Sequence, residues 1–292
     1  MTTPPSAARG GEYKFGDRYV RRLGYGAMRL SGPAIMGPPT DPDEAAAVLR
    51  RALDAGINHI DTSDFYGPHT VNQLIADTLY PYPPELAIVT KVGARRTPDG
   101  DWPPATAPDE LRQAVEDNLA RLRVDSLYAV NLRMSGPGGD VFRSGSIAEP
   151  YGVLVDLQRQ GKVRHLGISN VGSDQVHEAL SIAPLVCVQN AYNIAHRGDD
   201  SLIDELETLG IAYVPFFPLG GFAPLQSQKL AEIAARLDAS PMQVALAWLL
   251  RRSRNILLIP GTSTRAHLDE NLRAADVADR IDAGTLAELN AL

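Results

Sequence analysis

Short apolar segments alternate along the chain with longer segments whose apolar residues recur at helical spacing. The short segments, each typical of a buried strand, fall at 19–25, 57–61, 86–91, 126–132, 163–168, 186–189, 211–215 and 256–259. The longer segments, each typical of an amphipathic helix, fall at 43–55, 69–79, 108–122, 146–159, 173–182, 201–209, 230–237 and 241–251. Strict alternation of this kind predicts parallel strands joined by right-handed crossovers.

The number and spacing of the strands favour a closed barrel over an open sheet. Eight strands with their helices in about 250 residues match a (β/α)8 TIM barrel. A doubly wound sheet would need a G-x-G-x-x-G turn that opens a helix, but GYGAM at 24–28 runs into the Pro- and Gly-rich loop 32–39. Residues 13–20 predict a β-hairpin with a Gly-Asp turn. We therefore predict an α/β fold with one barrel domain over 13–292 and a frayed tail over 1–12.

The charge balance and the cysteine content narrow the class of partner. The 292 residues include 35 Asp and Glu against 28 Lys and Arg, a net charge of −7, whereas nucleic-acid-binding proteins are commonly basic. The one cysteine, Cys187, cannot form an intrachain disulfide. No segment approaches the roughly 20 apolar residues of a membrane span. These features predict a cytoplasmic protein, a monomer or weak homo-oligomer, that binds small molecules and has no nucleic-acid or membrane partner.

Polar residues cluster where the predicted strands end, which is where the active sites of (β/α)8 barrels lie. Asp61 ends the second strand, Lys91 ends the third, and Tyr66 follows Asp61 on the next loop. An Asp–Lys pair keeps the ammonium charged despite burial, and a charged lysine lowers the pKa of a neighbouring phenol. The three side chains therefore suit proton transfer. The alternative is a structural ion pair with a tyrosine over the barrel mouth, but the convergence of three ionisable groups favours catalysis.

Four ordered motifs resemble those of the aldo-keto reductase superfamily over nearly the full length of the chain. They are GINHIDTSDFYG at 56–67, VTK at 89–91, RHLGISN at 164–170 and VQNAYN at 188–193. The resemblance implies an oxidoreductase that uses NADPH, with Tyr66 as the general acid and Asp61 and Lys91 tuning it. No metal is expected, because the histidines show no ligand spacing with carboxylates.

The resemblance also implies binding roles position by position. The residues that would bind NADPH are Gly26, Ala27, Met28, Asp61, Ser169, Asn170, Gln189, Phe216, Phe217, Pro218, Leu219, Gly220, Gly261, Thr262, Ser263, Arg265, Glu270 and Asn271. Within this set, Ser169 and Asn170 would hydrogen-bond the nicotinamide carboxamide and Phe216 would stack on the nicotinamide ring. The residues that could form the substrate wall are Tyr25, Met28, Tyr66, His69, Trp102 and Arg133.

One departure from the superfamily pattern follows the fourth strand, where most members have a histidine. An ungapped match places Arg133 there, and Asn131 takes the position only with a two-residue shift. Arginine donates hydrogen bonds but is not an acid at neutral pH. We therefore assign the proton to Tyr66, and give Arg133 the orientation of the carbonyl group and the stabilisation of an oxyanion. Alternatively, Arg133 holds an anionic group of the substrate.

A second departure lies in the segment that would hold the adenosine 2′-phosphate. Gly261 stands where the superfamily usually has a lysine, and His267 where it usually has an arginine. Arg265 is the nearest compensating cation, and guanidinium groups suit phosphate. We therefore expect NADPH in preference to NADH.

A closer resemblance, to a bacterial subgroup that includes the pyridoxal reductases, rests on RLGYGAM at 22–28, DFYGPH at 64–69, VNLR at 130–133 and PFFPLGGF at 215–222. Asn-Leu-Arg in place of the histidine context is a feature of that subgroup. The resemblance implies a reversible aldehyde reductase, with pyridoxal and pyridoxine as the leading pair. Two alternatives stay open: a reductase of another aldehyde or ketone in specialised metabolism, and a protein that senses NADPH with little turnover.

Overall fold

The computed structural model describes residues 4–135, 142, 144–220 and 227–292, and its strands form two sheets. The strands are Glu12–Phe15 (β1), Arg18–Arg21 (β2), Tyr25–Gly26 (β3), His59–Asp61 (β4), Ala87–Val92 (β5), Leu127–Arg133 (β6), Val163–Ser169 (β7), Cys187–Gln189 (β8) and Ala212–Tyr213 (β9). The strands β1 and β2 form an antiparallel hairpin, as predicted. The strands β3 to β9 form one parallel sheet in chain order.

Helices follow the strands of the parallel sheet, which fits the alternation in the sequence. They are Pro42–Asp54 (α1), Thr70–Leu79 (α2), Pro108–Leu122 (α3), Ala148–Arg159 (α4), Ser173–Ile182 (α5), Asp200–Leu209 (α6), Gln228–Arg236 (α7), Pro241–Arg252 (α8), Arg265–Leu272 (α9), Ala274–Ala278 (α10) and Ala283–Asn290 (α11). The last three helices were not predicted. Within the described ranges, no helix has the length and apolar character needed to cross a membrane.

Residues 256–261 close the parallel sheet into a barrel. Parallel bridges join Ile256 to Tyr213 at one edge, and Leu258 to Leu23 at the other edge. The backbone N–H of Leu257 donates to the Tyr213 carbonyl over 2.9 Å, and the N–H of Leu258 donates to the Arg22 carbonyl over 2.7 Å. The eighth predicted strand therefore occupies its expected place, and the (β/α)8 prediction is confirmed.

Apolar side chains pack in two layers, one inside the barrel and one between the strands and the helices. The inner layer includes Val89, Ala129 and Leu257 together with Phe15 of the hairpin. The Tyr128 hydroxyl donates a hydrogen bond to the Phe15 carbonyl, so the hairpin is attached to the barrel. Because the hairpin covers the end of the barrel where the strands begin, the site must lie at the opposite end.

Two segments near the N-terminus differ from the prediction. The strand predicted at 19–25 is split, because Arg18–Arg21 pairs within the hairpin and Tyr25–Gly26 pairs in the barrel. Residues Ala7–Gly10 form a 3₁₀ helix where a frayed tail was predicted. The N–H of Ala7, which is fully buried, donates to the Ala55 carbonyl over 2.9 Å. Contacts with residues distant in the sequence hold this segment in place.

His59 lies inside the barrel with no exposed surface. Its ring centre is 5.5 Å from that of Phe15, and within the described residues neither ring nitrogen has a hydrogen-bond partner. Burial lowers the pKa of His59 from its usual 6.5 to about 4, although the charge of Asp61 opposes this effect. The folded protein therefore holds His59 neutral in mildly acid solution.

This burial predicts a loss of stability in acid that a variant can remove. Between pH 6.5 and pH 4 the unfolded chain takes up a proton at His59 that the folded chain does not, so stability falls as the pH falls. The single residue accounts for about 2 kcal/mol of unfolding free energy lost between pH 7 and pH 5. In urea titrations at both pH values, His59→Leu should lose that much less stability than the wild type. The exposed His196 provides the control, since His196→Leu should leave the pH difference unchanged; equal losses in all three proteins would contradict the prediction.

Candidate active site

A cavity of about 820 Å³ lies at the carboxyl ends of the barrel strands. In the described part of the chain, its wall is formed by Gly26, Met28, Arg29, Ile35, Asp61, Phe65, Tyr66, Lys91, Thr97, Asp101, Trp102, Pro103, Arg133, Ser169, Gln189, Phe216, Phe217, Pro218, Leu219, Ile259, Pro260 and Gly261. All four predicted catalytic residues are in this set. A cavity of this size with a mainly apolar wall and a few converging polar groups is typical of a cofactor or substrate site.

Asp61, Lys91 and Tyr66 converge in the wall of the cavity. The Lys91 ammonium forms an ion pair with the Asp61 carboxylate and donates a second hydrogen bond to the Thr62 carbonyl over 3.0 Å. Lys91 Nζ lies 5.2 Å from the centre of the Tyr66 ring. The neighbouring strands β4 and β5 carry Asp61 and Lys91, so the parallel register brings the two side chains together.

The electrostatics of this group differ in one respect from the prediction. Burial raises the pKa of Tyr66, and the opposing charge of Lys91 does not cancel that effect. Burial lowers the pKa of Lys91, but the charge of Asp61 offsets this and the pKa is raised overall. Lys91 is therefore charged and Tyr66 protonated at neutral pH. Tyr66 has the protonation state of an acid, whereas a lowered phenol pKa was predicted.

The structure distinguishes between the two candidates for the usual histidine position. The Arg133 side chain lines the cavity and interacts electrostatically with Tyr66. Asn131 is fully buried beneath it, outside the cavity lining, and its Oδ1 accepts a hydrogen bond from Cys187 Sγ over 3.2 Å. The ungapped match is therefore the one in which the side chain can reach a substrate.

Two buried polar atoms in the cavity wall can receive a ligand. Within the described residues, Ser169 Oγ and Gln189 Oε1 have no hydrogen-bond partner, and such atoms are costly unless a ligand or water satisfies them. Gln189 Nε2 donates to Asp61 Oδ2 over 2.8 Å, which fixes the orientation of the amide. A primary carboxamide fits both atoms, because it can donate to the Gln189 oxygen and pair with the Ser169 hydroxyl.

The loop after β9 places an aromatic and apolar wall beside these atoms. Phe216, Phe217, Pro218 and Leu219 all line the cavity, as predicted for cofactor contacts. Gly220 follows them with a φ of 89°, a conformation that favours glycine, and lies outside the lining. Residues 221–222 of the motif at 215–222 lie outside the described residues.

Several residues predicted to bind the cofactor lie outside the cavity lining. They are Ala27, Asn170, Gly220, Thr262, Ser263, Arg265, Glu270 and Asn271. Asn170 Nδ2 donates to the Met134 carbonyl over 2.9 Å, so this amide supports the loop after β6. Glu270 accepts a hydrogen bond from Ser240 Oγ over 2.7 Å at the start of α8. The resemblance that assigned Asn170 and Glu270 to the cofactor does not display these internal contacts.

Arg265 is paired with a carboxylate from a distant part of the sequence. Its Nε and Nη2 lie 3.0 and 2.9 Å from Glu44 Oε2, and its backbone N–H donates to Glu44 Oε1 over 2.9 Å. The pair is at the protein surface, with the Arg265 side chain 59% exposed. A phosphate at Arg265 would therefore have to compete with Glu44.

Two residues predicted in the substrate wall are elsewhere. Tyr25 is fully buried, and its hydroxyl donates to the Thr262 carbonyl over 2.6 Å. The ring of His69 pairs with Asp64 Oδ2 over 2.7 Å, and His69 lies outside the lining of the large cavity. In both cases an internal polar partner directs the side chain away from the cavity.

Trp102 lines the cavity as predicted, and its neighbours show how the loop that carries it is held. The Trp102 ring lies edge-on to Phe65 and Tyr66, with centres 5.4 and 6.3 Å apart. The Arg96 guanidinium lies 3.9 Å from the centre of the indole ring and also donates to the Ala34 carbonyl over 2.7 Å. Arg96 therefore connects this loop to the segment around residue 34.

Eight residues of the cavity wall were not predicted from the sequence: Arg29, Ile35, Phe65, Thr97, Asp101, Pro103, Ile259 and Pro260. Most lie on loops, where no hydrophobic period indicates which side chain faces inward. Arg29 had a detectable signal, because it follows Gly26 and Met28, which were both assigned to the cofactor. Phe65 directly precedes Tyr66 in the sequence.

A parallel eight-stranded barrel with an Asp–Lys–Tyr group at the carboxyl ends of its strands defines an oxidoreductase of the aldo-keto reductase type. The sequence profile of the Aldo/keto reductase family matches residues 22–292, and the chain belongs to that family. Over 262 residues it is 60% identical to the pyridoxine 4-dehydrogenase of Escherichia coli strain K12. The aligned residues cover 90% of this chain and 92% of that relative.

Solved structures agree with this fold. A thermostable aldo-keto reductase in complex with the inhibitor epalrestat superposes with a TM-score of 0.80 at 27% identity, covering 96% of this chain and 98% of the other. An aldo/keto reductase from Klebsiella pneumoniae in complex with NADP and acetate gives a TM-score of 0.76 at 22% identity, covering 96% and 94% of the two chains.

Proposed function

We propose that this chain is an NADPH-dependent carbonyl reductase that interconverts an aldehyde and its primary alcohol, with pyridoxal and pyridoxine as the leading pair. The observation that carries the proposal is the buried Asp61–Lys91–Tyr66 group in the wall of a cavity large enough for a nicotinamide and a small substrate. The 60% identity to a relative named pyridoxine 4-dehydrogenase supports the choice of substrate.

The cavity residues fit the nicotinamide end of the cofactor. Ser169 Oγ and Gln189 Oε1 would bind the carboxamide, and Phe216 would stack against the ring. When bound, the reduced nicotinamide supplies the hydride that reduces the carbonyl carbon. Tyr66 donates the proton to the substrate oxygen, since burial keeps the phenol protonated. Arg133 donates hydrogen bonds to the same oxygen and stabilises the negative charge that develops there.

The direct test is turnover. Purified protein with NADPH and pyridoxal should consume the reduced nicotinamide, seen as loss of its near-ultraviolet absorbance, and should yield pyridoxine by chromatography. Pyridoxine with NADP⁺ should give the reverse reaction. If NADPH binds but neither pyridoxal nor a panel of simple aldehydes and ketones is reduced, the NADPH-sensing alternative becomes the better explanation.

The Arg265–Glu44 pair gives a prediction about cofactor preference. Arg265→Ala should raise the Kd of NADPH by roughly two- to fivefold and leave the Kd of NADH unchanged, because only NADPH carries the 2′-phosphate. Glu44→Gln should lower the Kd of NADPH, because it removes the competing carboxylate. Fluorescence titration at low and high salt measures both constants. Equal changes for NADPH and NADH in these variants would show that Arg265 does not contact the 2′-phosphate.

A further inference from the structure

Arg133 brings a positive charge into the cavity that the described residues do not neutralise with an ion pair. Its Nη1 donates to the Ser135 hydroxyl over 2.7 Å, and no described carboxylate forms an ion pair with its guanidinium. The Lys91 charge beside it is already matched by Asp61. Burial lowers the pKa of Arg133, so the guanidinium is partly stripped of water. A partly desolvated cation of this kind favours an anionic or strongly accepting group on the ligand.

The position of Arg133 beside Tyr66 specifies where that group must lie on the substrate. Both side chains line the cavity and interact electrostatically across it. A carbonyl oxygen has two lone pairs, so it can accept one hydrogen bond from the Tyr66 hydroxyl and one from Arg133. A guanidinium presents parallel N–H groups in a fixed fork. Because Nη1 donates to Ser135, the remaining N–H groups are the ones available to the carbonyl oxygen and to a second acceptor next to it.

The other walls of the cavity favour a flat aromatic ring. Phe65 and Trp102 supply aromatic surface beside Tyr66, and Leu219 adds apolar surface to the same cavity. We propose that the site prefers aromatic aldehydes with a hydroxyl group on the ring carbon next to the aldehyde, because Arg133 binds the oxygens of both groups. Pyridoxal has this arrangement, and so does the simpler 2-hydroxybenzaldehyde. This inference rests on the proposed reductase function and makes Arg133 the residue that determines specificity.

The test compares two substrates that differ only in the position of the hydroxyl group. In the wild type with NADPH, kcat/KM for 2-hydroxybenzaldehyde should exceed that for 4-hydroxybenzaldehyde by about tenfold or more. Part of such a ratio can be intrinsic to the aldehydes, so the decisive readout is its change in variants. Arg133→Gln should lower the ratio by about ten- to a hundredfold, since it removes the charge and the fork.

Two further variants separate recognition from general activity. Arg133→Lys keeps a cation without the fork and should give an intermediate ratio. Arg133→His places the residue usual in the superfamily, which has no fork of parallel N–H groups, and should lower the ratio as far as Arg133→Gln does, whatever its effect on the rate of either isomer. The ratio for 3-hydroxypyridine-4-carbaldehyde against pyridine-4-carbaldehyde should follow the same order, since these two differ only by the neighbouring hydroxyl group.

The outcomes separate this inference from the proposed function. If the wild type reduces both isomers and the ratio is the same in the wild type and all three variants, the inference is overturned and the reductase function stands. If Arg133→Gln lowers kcat/KM equally for both isomers, Arg133 acts on the carbonyl group alone, which also overturns it. If the wild type reduces no aldehyde, the proposed function fails and the inference fails with it.

Discussion

Replacing Tyr66 by phenylalanine should lower kcat/KM for aldehyde reduction by about a thousandfold and leave the Kd of NADPH within about twofold of the wild type. In the proposed reaction this hydroxyl donates the proton to the substrate oxygen, and burial keeps it protonated. The variant ring can keep its edge-on contacts with Phe65 and Trp102, whose centres lie 5.5 and 6.3 Å away. We therefore expect the variant to lose proton transfer and to keep the proposed hydrogen bonds from Arg133 to the carbonyl group. Steady-state rates and a binding titration measure the two effects.

Tyr128→Phe is the matched control, because it removes the same hydroxyl at the opposite end of the barrel. The Tyr128 hydroxyl donates to the Phe15 carbonyl and does not line the cavity. Its loss should cost about 1 kcal/mol of stability with little change in kcat/KM. A Tyr66→Phe variant that keeps more than a tenth of the wild-type activity would mean that another group supplies the proton.

The order of strands and helices could be predicted because the spacing of apolar residues identifies each element from its own segment of sequence. The barrel could be predicted because the number of such strands matches that of a (β/α)8 fold. The position at which the first barrel strand begins could not be predicted from the sequence. Residues 19–25 have continuous strand character, yet the chain leaves the hairpin after Arg21 and joins the barrel at Tyr25. Between them, a Cβ at Gly24 would come within 2.8 Å of the His59 carbonyl oxygen. Backbone approach of this kind depends on strand pairing, which the sequence does not display.

The centre of the site could also be predicted, because the ends of parallel strands meet at one face. Asp61, Lys91, Ser169 and Gln189 all follow from that rule and all line the cavity. The residues on the loops around the cavity were harder to predict, since the side chains that they contact are distant in the sequence. Glu44 lies 221 positions before Arg265 in the chain and forms its ion pair. The sequence indicated that the Arg265 guanidinium is available to bind phosphate. In the folded protein it forms an ion pair with the Glu44 carboxylate.

Lys91→Met should lower kcat for alcohol oxidation by about a hundredfold at neutral pH and move its pH profile to higher pH. In this direction Tyr66 must accept a proton, so the rate rises with pH up to the pKa of the phenol. Burial raises that pKa and the charge of Lys91 opposes the rise. Without Lys91 the effect of burial is unopposed, and the phenol ionises only at higher pH. Rates of pyridoxine oxidation with NADP⁺ across the alkaline range measure the shift.

The direction of the shift separates an electrostatic role of Lys91 from a structural one. Lys91→Arg keeps the cation beside Asp61 and Tyr66, so its pH profile should stay near that of the wild type even if its maximum rate falls. A purely structural role would lower the rate of both variants without displacing either profile. Because Lys91→Met leaves the buried Asp61 carboxylate without its cation, it should also lose about 3 to 5 kcal/mol of stability. Thermal unfolding of each variant therefore has to accompany the kinetics, so that the profiles compare folded proteins.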